Sequence, residues 1–147
     1  MPATADNTVF VGNFAFPNSP IGELLLACSR YLPLQAGKEV FQMNPKDLNI
    51  AEKFKSLASQ KVKIHEIIIF GSRARGTESK ESDLDVLIVV DYLDHSIEKY
   101  ISDCAWEVGF SEDVVIIPVA ISLNKLKNTP VRESVFIKNV FREGIAV

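Results

Sequence analysis

The sequence predicts an α+β fold of two layers, a small β-sheet packed against helices, over the chain from Met43 onward. Three short runs of apolar and β-branched residues have the length and composition of buried strands. Around them, apolar residues recur at the three- and four-residue spacing of amphipathic helices. The 147 residues, 47% hydrophobic and 24% charged, fit a globular chain with one principal domain.

The first 42 residues differ in composition from the rest. They contain five charged residues and four of the seven prolines, and they show no sustained period apart from a short helical stretch over 21–31. Because the change coincides with an internal methionine, we predict that residues 1–42 form an N-terminal extension, loosely ordered or the product of a misassigned start. An extra element packed on the core is the alternative.

The first regular element is a helix that we expect to begin at Asn44-Pro45. Asparagine is a favourable N-cap, proline suits the first helical position, and Asp47 lies in the first turn. Its inward face is predicted to contain Ile50, Ala51, Phe54, Leu57 and Ala58.

Three strands are predicted after this helix. The first covers 63–70, where the run Ile67-Ile68-Ile69-Phe70 ends at Gly71, and the second covers Asp85 to Val90. The third covers 114–121, and Pro118 within it indicates an edge strand or a bulge, because proline cannot donate to the ladder.

Two further helices complete the prediction. One has apolar residues at helical spacing from Ile97 to Val108 and is expected to end at Gly109. The other is expected to begin at Thr129-Pro130 and to end at Gly144. The residues predicted to face inward from this last helix are Phe136, Ile137, Val140 and Phe141.

Charge and cysteine content exclude several classes of function. The net charge of -3 and the pI of about 5.4 give no electrostatic case for binding nucleic acid or an anionic membrane. Cys28 and Cys104 lie far apart, which favours reduced thiols over a disulfide. The run Leu24 to Cys28 is too short to span a bilayer, and residues 1–20 lack the Lys or Arg of an export signal. We therefore predict a cytoplasmic protein.

The first strand leads into Gly71-Ser72-Arg73-Ala74-Arg75-Gly76, a segment suited to phosphate. Glycine lets the backbone turn tightly and approach a ligand. If Ser72 opens a short helix, its hydroxyl and backbone N–H point toward an anion. The guanidinium groups of Arg73 and Arg75 can bind phosphate bidentately. Taken alone, such a segment is more typical of a solvated turn.

Two aspartates, Asp83 and Asp85, stand at the start of the second strand. Residues i and i+2 of a strand share a face, so both carboxylates point the same way. They raise each other's pKa unless a cation lies between them, and Mg2+ prefers such oxygen ligands. For this Asp-x-Asp alone, a water-exposed strand end is the better interpretation.

The spacing of the two segments is more specific than either segment. Ten residues, 73–82, separate Ser72 from Asp83, with a strand before the first segment and after the second. This pattern resembles the DNA polymerase β-like nucleotidyltransferase superfamily, in particular the minimal nucleotidyltransferases of bacteria and archaea. The ending from Phe136 to Ile145 is also similar. The resemblance covers about Ile50 to Val147 and implies a nucleotidyltransferase domain over 43–147, a small mixed sheet with helices packed on one side.

The resemblance also implies a role for each motif residue. Gly71 and Ser72 would hold the terminal phosphates of the nucleotide, and Asp83 and Asp85 would bind two Mg2+ ions. The superfamily normally adds a third carboxylate on the next core strand, and Asp113 is the best match. An ordinary polar residue at a strand start is the alternative for Asp113.

The implied reaction is transfer of a nucleoside monophosphate, AMP from ATP, to a hydroxyl, with pyrophosphate leaving. Minimal members are frequently paired with a helical HEPN protein as antitoxin and toxin, so a tyrosine of such a partner is the implied acceptor, with a small molecule as the alternative. The alternative is a catalytically degenerate module of the same fold that binds nucleotide or partner without chemistry.

Overall fold

The computed structural model describes residues 8–11, 14–17, 43–77, 79 and 82–147. The chain divides into two compact units, Met1–Lys38 and Glu39–Val147. In the first unit, strands β1 (Thr8–Val11) and β2 (Phe14–Pro17) form an antiparallel ribbon. The helical stretch predicted over 21–31 lies outside the described residues, and the predicted extension over 1–42 is described only at these two strands.

The second unit has the predicted α+β fold. Near its C-terminal end it also contains a short helix after the third predicted strand and a two-residue strand at the end of the chain. In chain order its elements are α1 (Pro45–Ala58), β3 (Ile64–Phe70), α2 (Gly71–Arg75), β4 (Leu84–Val90), α3 (His95–Glu112), β5 (Ile116–Ser122), α4 (Leu123–Asn128), the 3-10 helix (Pro130–Glu133), α5 (Val135–Glu143) and β6 (Ile145–Ala146).

These strands of the second unit form one mixed sheet in the order β5-β4-β3-β6. β4 and β5 are parallel, whereas β3 is antiparallel to both β4 and β6. Pro118 lies in β5 at the sheet edge, as predicted. Phe70 is the register partner of Asp85, and Asp85 is the partner of Ile117. Their side chains therefore lie in one row on the same face.

The opposite face of the sheet carries the main hydrophobic core. Ile67, Ile69, Val86 and Ile88 are completely buried there in a cluster with residues of α1 and α3. Burial of each such side chain contributes about 1.5–3 kcal/mol. The strand positions between them are buried on the other face, which helices α4 and α5 partly cover. That thinner second layer contains Ile68, Leu87, Val89, Ile121, Leu126, Ile137 and Val140.

One helix end agrees with the sequence prediction and another differs from it. α1 begins as predicted, with Asn44 accepting a hydrogen bond from the Lys46 N–H at 3.0 Å. The prediction that α3 ends at Gly109 was wrong, because this helix continues to Glu112. Gly109 is instead a site of close packing, where a Cβ would lie 2.5 Å from the Val114 carbonyl oxygen.

The last predicted helix is divided into two. Thr129 caps the 3-10 helix, and Ser134 then caps α5 by accepting a hydrogen bond from the Ile137 N–H. Ile137 is buried as expected. The prediction that Phe136 faces inward was wrong, because its ring is exposed and packs edge-on against Phe70, with 5.4 Å between ring centroids.

Candidate active site

The two sequence segments that suggested chemistry meet at one end of the sheet. β3 ends at Phe70 and β4 begins at Leu84, and the two strands are antiparallel with Phe70 opposite Asp85. The Gly71–Arg75 helix therefore starts beside the carboxylate pair, although ten residues separate Ser72 from Asp83. The fold itself places the predicted phosphate segment next to the predicted metal ligands.

Gly71 lies directly against the Asp85 carboxylate. Its φ of 79° lies in the left-handed region that favours glycine. A Cβ at this position would collide with Oδ2 of Asp85 and lie 3.3 Å from its Cγ. Glycine is therefore required twice here, once by the turn and once by the space that Asp85 occupies.

The carboxylate pair is electrostatically unfavourable as it stands. Partial burial raises the pKa of Asp85 above its usual 3.8, the negative charge of Asp83 raises it further, and only Arg75 acts in the opposite direction. Asp83 is exposed and Asp85 is half-buried. A pair of carboxylates in this state gains free energy when a cation binds between them.

The donor set fits a hard divalent cation. Two carboxylates on one strand face supply oxygen ligands, and the exposed side leaves coordination positions for phosphate oxygens and water. No three His, Cys, Asp or Glu side chains come together as a metal site anywhere in the described part of the chain. The site thus consists of a pair of acids.

Asp113 does not join that pair. It is the C-cap of α3, with a left-handed φ of 55°, and it is exposed. The predicted strand start at Val114 was wrong because α3 extends to Glu112 and β5 begins only at Ile116. The residue beside Asp85 in the register of β5 is Ile117, which is 40% exposed. An apolar side chain therefore occupies the place next to Asp85 on the neighbouring strand.

The two arginines of the segment have different surroundings. Arg75 remains at the site, where its charge acts on Asp85 and its Nη1 lies 3.4 Å from Oε2 of Glu143. Arg73 was expected to bind phosphate, but its guanidinium points inward and only 8% of the residue is exposed. Its Nη1 donates to Oδ1 of Asp47 at 2.5 Å.

Ser72 lies in the first turn of α2 and is half-buried. The chain turns back at once, because Gly76 adopts a left-handed φ of 68° and the N–H of Thr77 donates to the Ser72 carbonyl at 3.0 Å. From this compact turn the charge of Arg75 acts on Asp85.

Sequence reasoning missed two residues that shape this site. Asp47 was placed in the first turn of α1 without any further role, yet it is buried and paired with Arg73. Ile117 was treated as one apolar residue of a strand, yet it lies beside Asp85. The strand register could have identified Ile117, whereas no local signal distinguishes Asp47 from other first-turn acids.

Comparisons with known proteins bear on this geometry. Residues 50–147 match the family described as nucleotidyltransferase domain. A protein of Methanocaldococcus jannaschii named "Putative protein adenylyltransferase MJ0128" is 37% identical over 73 residues, which cover 46% of this chain and 71% of the relative. A second protein of that organism, "Putative protein adenylyltransferase MJ1379", is 40% identical over 42 residues, or 29% of this chain and 42% of the relative.

A solved structure described as a toxin-antitoxin with AMP-PNP is similar with a TM-score of 0.48 and 22% sequence identity, over 65% of this chain and 69% of that one. Within the described ranges, no helix is long and apolar enough to cross a membrane.

The family match spans the sheet, the carboxylate pair and the Gly71–Arg75 helix. The chain therefore belongs to the nucleotidyltransferase domain family.

Proposed function

We propose that this protein is a Mg2+-dependent nucleotidyltransferase that transfers AMP from ATP to a hydroxyl group of a protein. The observation that carries the proposal is the Asp83 and Asp85 pair, where the pKa of Asp85 is raised, Arg75 is the one described positive charge that opposes the shift, and Gly71 borders the carboxylate. In this proposal Asp83 and Asp85 hold the cation, while Gly71, Ser72 and Arg75 face the phosphates.

The chain's own residues divide the work of the reaction. Asp85 is fixed in the sheet by its register partners, and Asp83 stays open to the incoming nucleotide. Gly71 leaves room for the Asp85 carboxylate, and Arg75 adds positive charge on the phosphate side. Asp83 and Asp85 would hold Mg2+, which would supply positive charge to the triphosphate and to the leaving pyrophosphate.

The bond changes are those of an in-line displacement. The acceptor hydroxyl attacks the α-phosphorus, the bond from that phosphorus to the pyrophosphate breaks, and the hydroxyl proton is released. Positioning and charge neutralisation supply most of the rate enhancement in such reactions. The rate therefore depends on how well the carboxylates are held.

A protein acceptor is supported by the apolar surroundings of the site. Ile117 lies beside Asp85, and Val115, two residues earlier, is 61% exposed. Apolar side chains favour the aromatic ring of a tyrosine over a sugar hydroxyl. Trp106 and Phe110 also stack on the exposed surface of α3, with 5.3 Å between ring centroids, which suits a protein partner. On the family resemblance we propose that this partner is a HEPN toxin and that the transfer is an antitoxin activity.

The experiment is pyrophosphate release from ATP in the presence of Mg2+ and a HEPN-type acceptor. We expect release to require all three components and to fall at least about 100-fold in Asp83→Ala plus Asp85→Ala, since even residues that only orient metal ligands are worth about 10- to 100-fold. An unchanged rate in the double variant would refute the mechanism.

A second candidate, a module that binds nucleotide or partner without chemistry, is favoured by one observation. Ile117 occupies the position beside Asp85, and Asp113 does not join the pair, so the described residues supply no third carboxylate there. Calorimetry with ATP and Mg2+ separates the candidates. Binding without pyrophosphate release in the presence of acceptor indicates the module, and binding with release indicates the enzyme.

A further inference from the structure

Two charged side chains are buried in the described part of the chain, and they contact each other. Asp47 of α1 is 1% exposed and Arg73 of α2 is 8% exposed, with Nη1 and Oδ1 2.5 Å apart. Burying a charge is unfavourable unless it is paired and hydrogen-bonded. We therefore expect the pair to have a role other than filling the space between α1 and α2.

The remaining contacts of Arg73 point to that role. Its Nε and Nη2 both donate to the carbonyl oxygen of Ser82, at 2.8 and 2.6 Å. Ser82 directly precedes Asp83, and the N–H of Leu84, two residues after Ser82, donates to the Val115 carbonyl at 2.8 Å. One guanidinium thus connects α1, α2 and the segment that leads into β4.

Stability alone does not account for this arrangement. A buried ion pair can commonly be replaced by apolar side chains of similar volume without loss of stability. Moreover, Oδ2 of Asp47 is buried without a hydrogen-bond partner, so the pair is not fully satisfied. An apolar pair would lose the directional contact with Ser82, because only the planar guanidinium can hold one carbonyl oxygen with two donors.

We propose that Arg73, oriented by Asp47, is a positioning residue that fixes Ser82 and thereby the Asp83-Leu84-Asp85 start of β4. Arg73 acts through the backbone of Ser82, and its guanidinium does not contact the nucleotide. For its effect on ligand binding, this inference rests on the proposed nucleotide site. Its effect on the backbone before β4 is independent of that site.

The test uses the full chain with Asp47→Leu plus Arg73→Met, which replaces the pair with apolar side chains and removes both bonds to Ser82. The control is Lys99→Met plus Asp103→Leu, an exposed ion pair on α3 with 3.5 Å between Nζ and Oδ2. Three quantities are measured: thermal unfolding, the Kd for Mn2+ with ATP by electron paramagnetic resonance, and amide hydrogen exchange at Leu84. Arg73→Lys is the fallback if the double variant does not fold, since a lysine retains the charge but not the two-donor contact.

We expect the double variant to unfold near the wild-type temperature, to bind Mn2+ with ATP about 10- to 100-fold more weakly, and to exchange the Leu84 amide faster. The control should match the wild type in all three measurements. A stable double variant with wild-type affinity and wild-type exchange overturns the inference. Faster exchange at Leu84 in a protein whose wild type binds no Mn2+ with ATP upholds the positioning role and refutes the proposed function.

Discussion

Asp85 lies at the N-terminal end of β4 and Asp91 at its C-terminal end, and their surroundings shift the two pKa values in opposite directions. At the C-terminal end, Asp91 accepts from Nε2 of His65 at 2.9 Å and lies 3.8 Å from Nζ of Lys63. The hydrogen bond from His65, followed by the charge of Lys63, lowers the pKa of Asp91. At the N-terminal end, burial and a neighbouring acid raise the pKa of Asp85.

The difference shows which carboxylates are available for a ligand. Asp91 already has a hydrogen bond from His65 and the nearby charge of Lys63 within the protein. Among the described residues, Arg75 is the one positive charge that lowers the pKa of Asp85. An acid with partners inside the protein therefore lies at one end of the strand, and a pair of acids that we propose to bind an external cation lies at the other.

The largest expected effect on Mn2+ affinity comes from replacing the acids at the N-terminal end of β4, whereas replacing Asp91 at the C-terminal end should have none. Asp83→Asn plus Asp85→Asn should weaken Mn2+ binding at least about 100-fold, because it removes both proposed ligands. Asp91→Asn should leave the affinity unchanged, because that carboxylate is paired within the protein. Electron paramagnetic resonance of free Mn2+ measures both variants, and equal losses in the two would remove the distinction between the ends.

A smaller loss is expected when the acids are retained but displaced. Gly71→Ala places a Cβ against Oδ2 of Asp85 and costs about 1–2 kcal/mol of stability for a left-handed alanine. We expect a folded protein whose Mn2+ affinity is about 10-fold lower.

Gly144→Ala is the matched control for that variant. A Cβ there would collide with the Val140 carbonyl and the Ile68 side chain, so the substitution perturbs the fold without touching Asp85. It should lower the unfolding temperature more than the Mn2+ affinity. If both glycine variants lose affinity in proportion to stability, Gly71 has no special connection with Asp85.

A third change makes the N-terminal end resemble the C-terminal end. Ile117→Lys places an ammonium beside Asp85, as Lys63 lies beside Asp91. The new charge should lower the pKa of Asp85 and weaken divalent-cation binding by competing for the carboxylate, by about 10-fold or less. Carbon-13 NMR titration of the aspartate carboxyls measures the pKa. A pKa that stays raised in this variant would contradict the register contact.

The smallest expected effect is that of Asp85 and Asp91 on the free energy of unfolding, and its sign differs between these two aspartates. Asp85 has a folded pKa above its usual 3.8, so the stability it contributes is lost as pH rises from 3.8 through the raised value. Asp91 has a lowered pKa, so its contribution is present above 3.8 and is lost as pH falls through the lowered value. At pH 7 without metal, Asp85→Asn should therefore stabilise the protein and Asp91→Asn should destabilise it. Urea unfolding checks both, and shifts of the same sign would contradict the comparison.

The sequence was sufficient to predict what depends on local pattern. The cap at Asn44, the apolar strand Val86 to Val90 and the edge position of Pro118 follow from periodicity and backbone chemistry. The spacing from Ser72 to Asp83 carried a family resemblance that implied one shared site, and the antiparallel pairing of β3 with β4 brings the two segments to the same end of the sheet.

Tertiary context decided what the sequence could not. Arg73 and Arg75 are indistinguishable in the motif, but the buried Asp47 draws only Arg73 inward. Asp113 precedes an apolar run in sequence, yet the continuation of α3 makes it a helix cap. Such outcomes depend on helix length and on long-range partners, which neither propensity nor spacing encodes.

We propose that the acids at the N-terminal end of β4 support transfer from the α-phosphate of ATP. The most direct test compares ATP labelled at the α-phosphate with ATP labelled at the γ-phosphate, each incubated with the protein, Mg2+ and a HEPN-type acceptor. We predict that only the α-label appears on the acceptor, that chelation of the divalent cation abolishes it, and that Asp91→Asn does not. Transfer of the γ-label, or α-labelling that persists after chelation, would contradict the account.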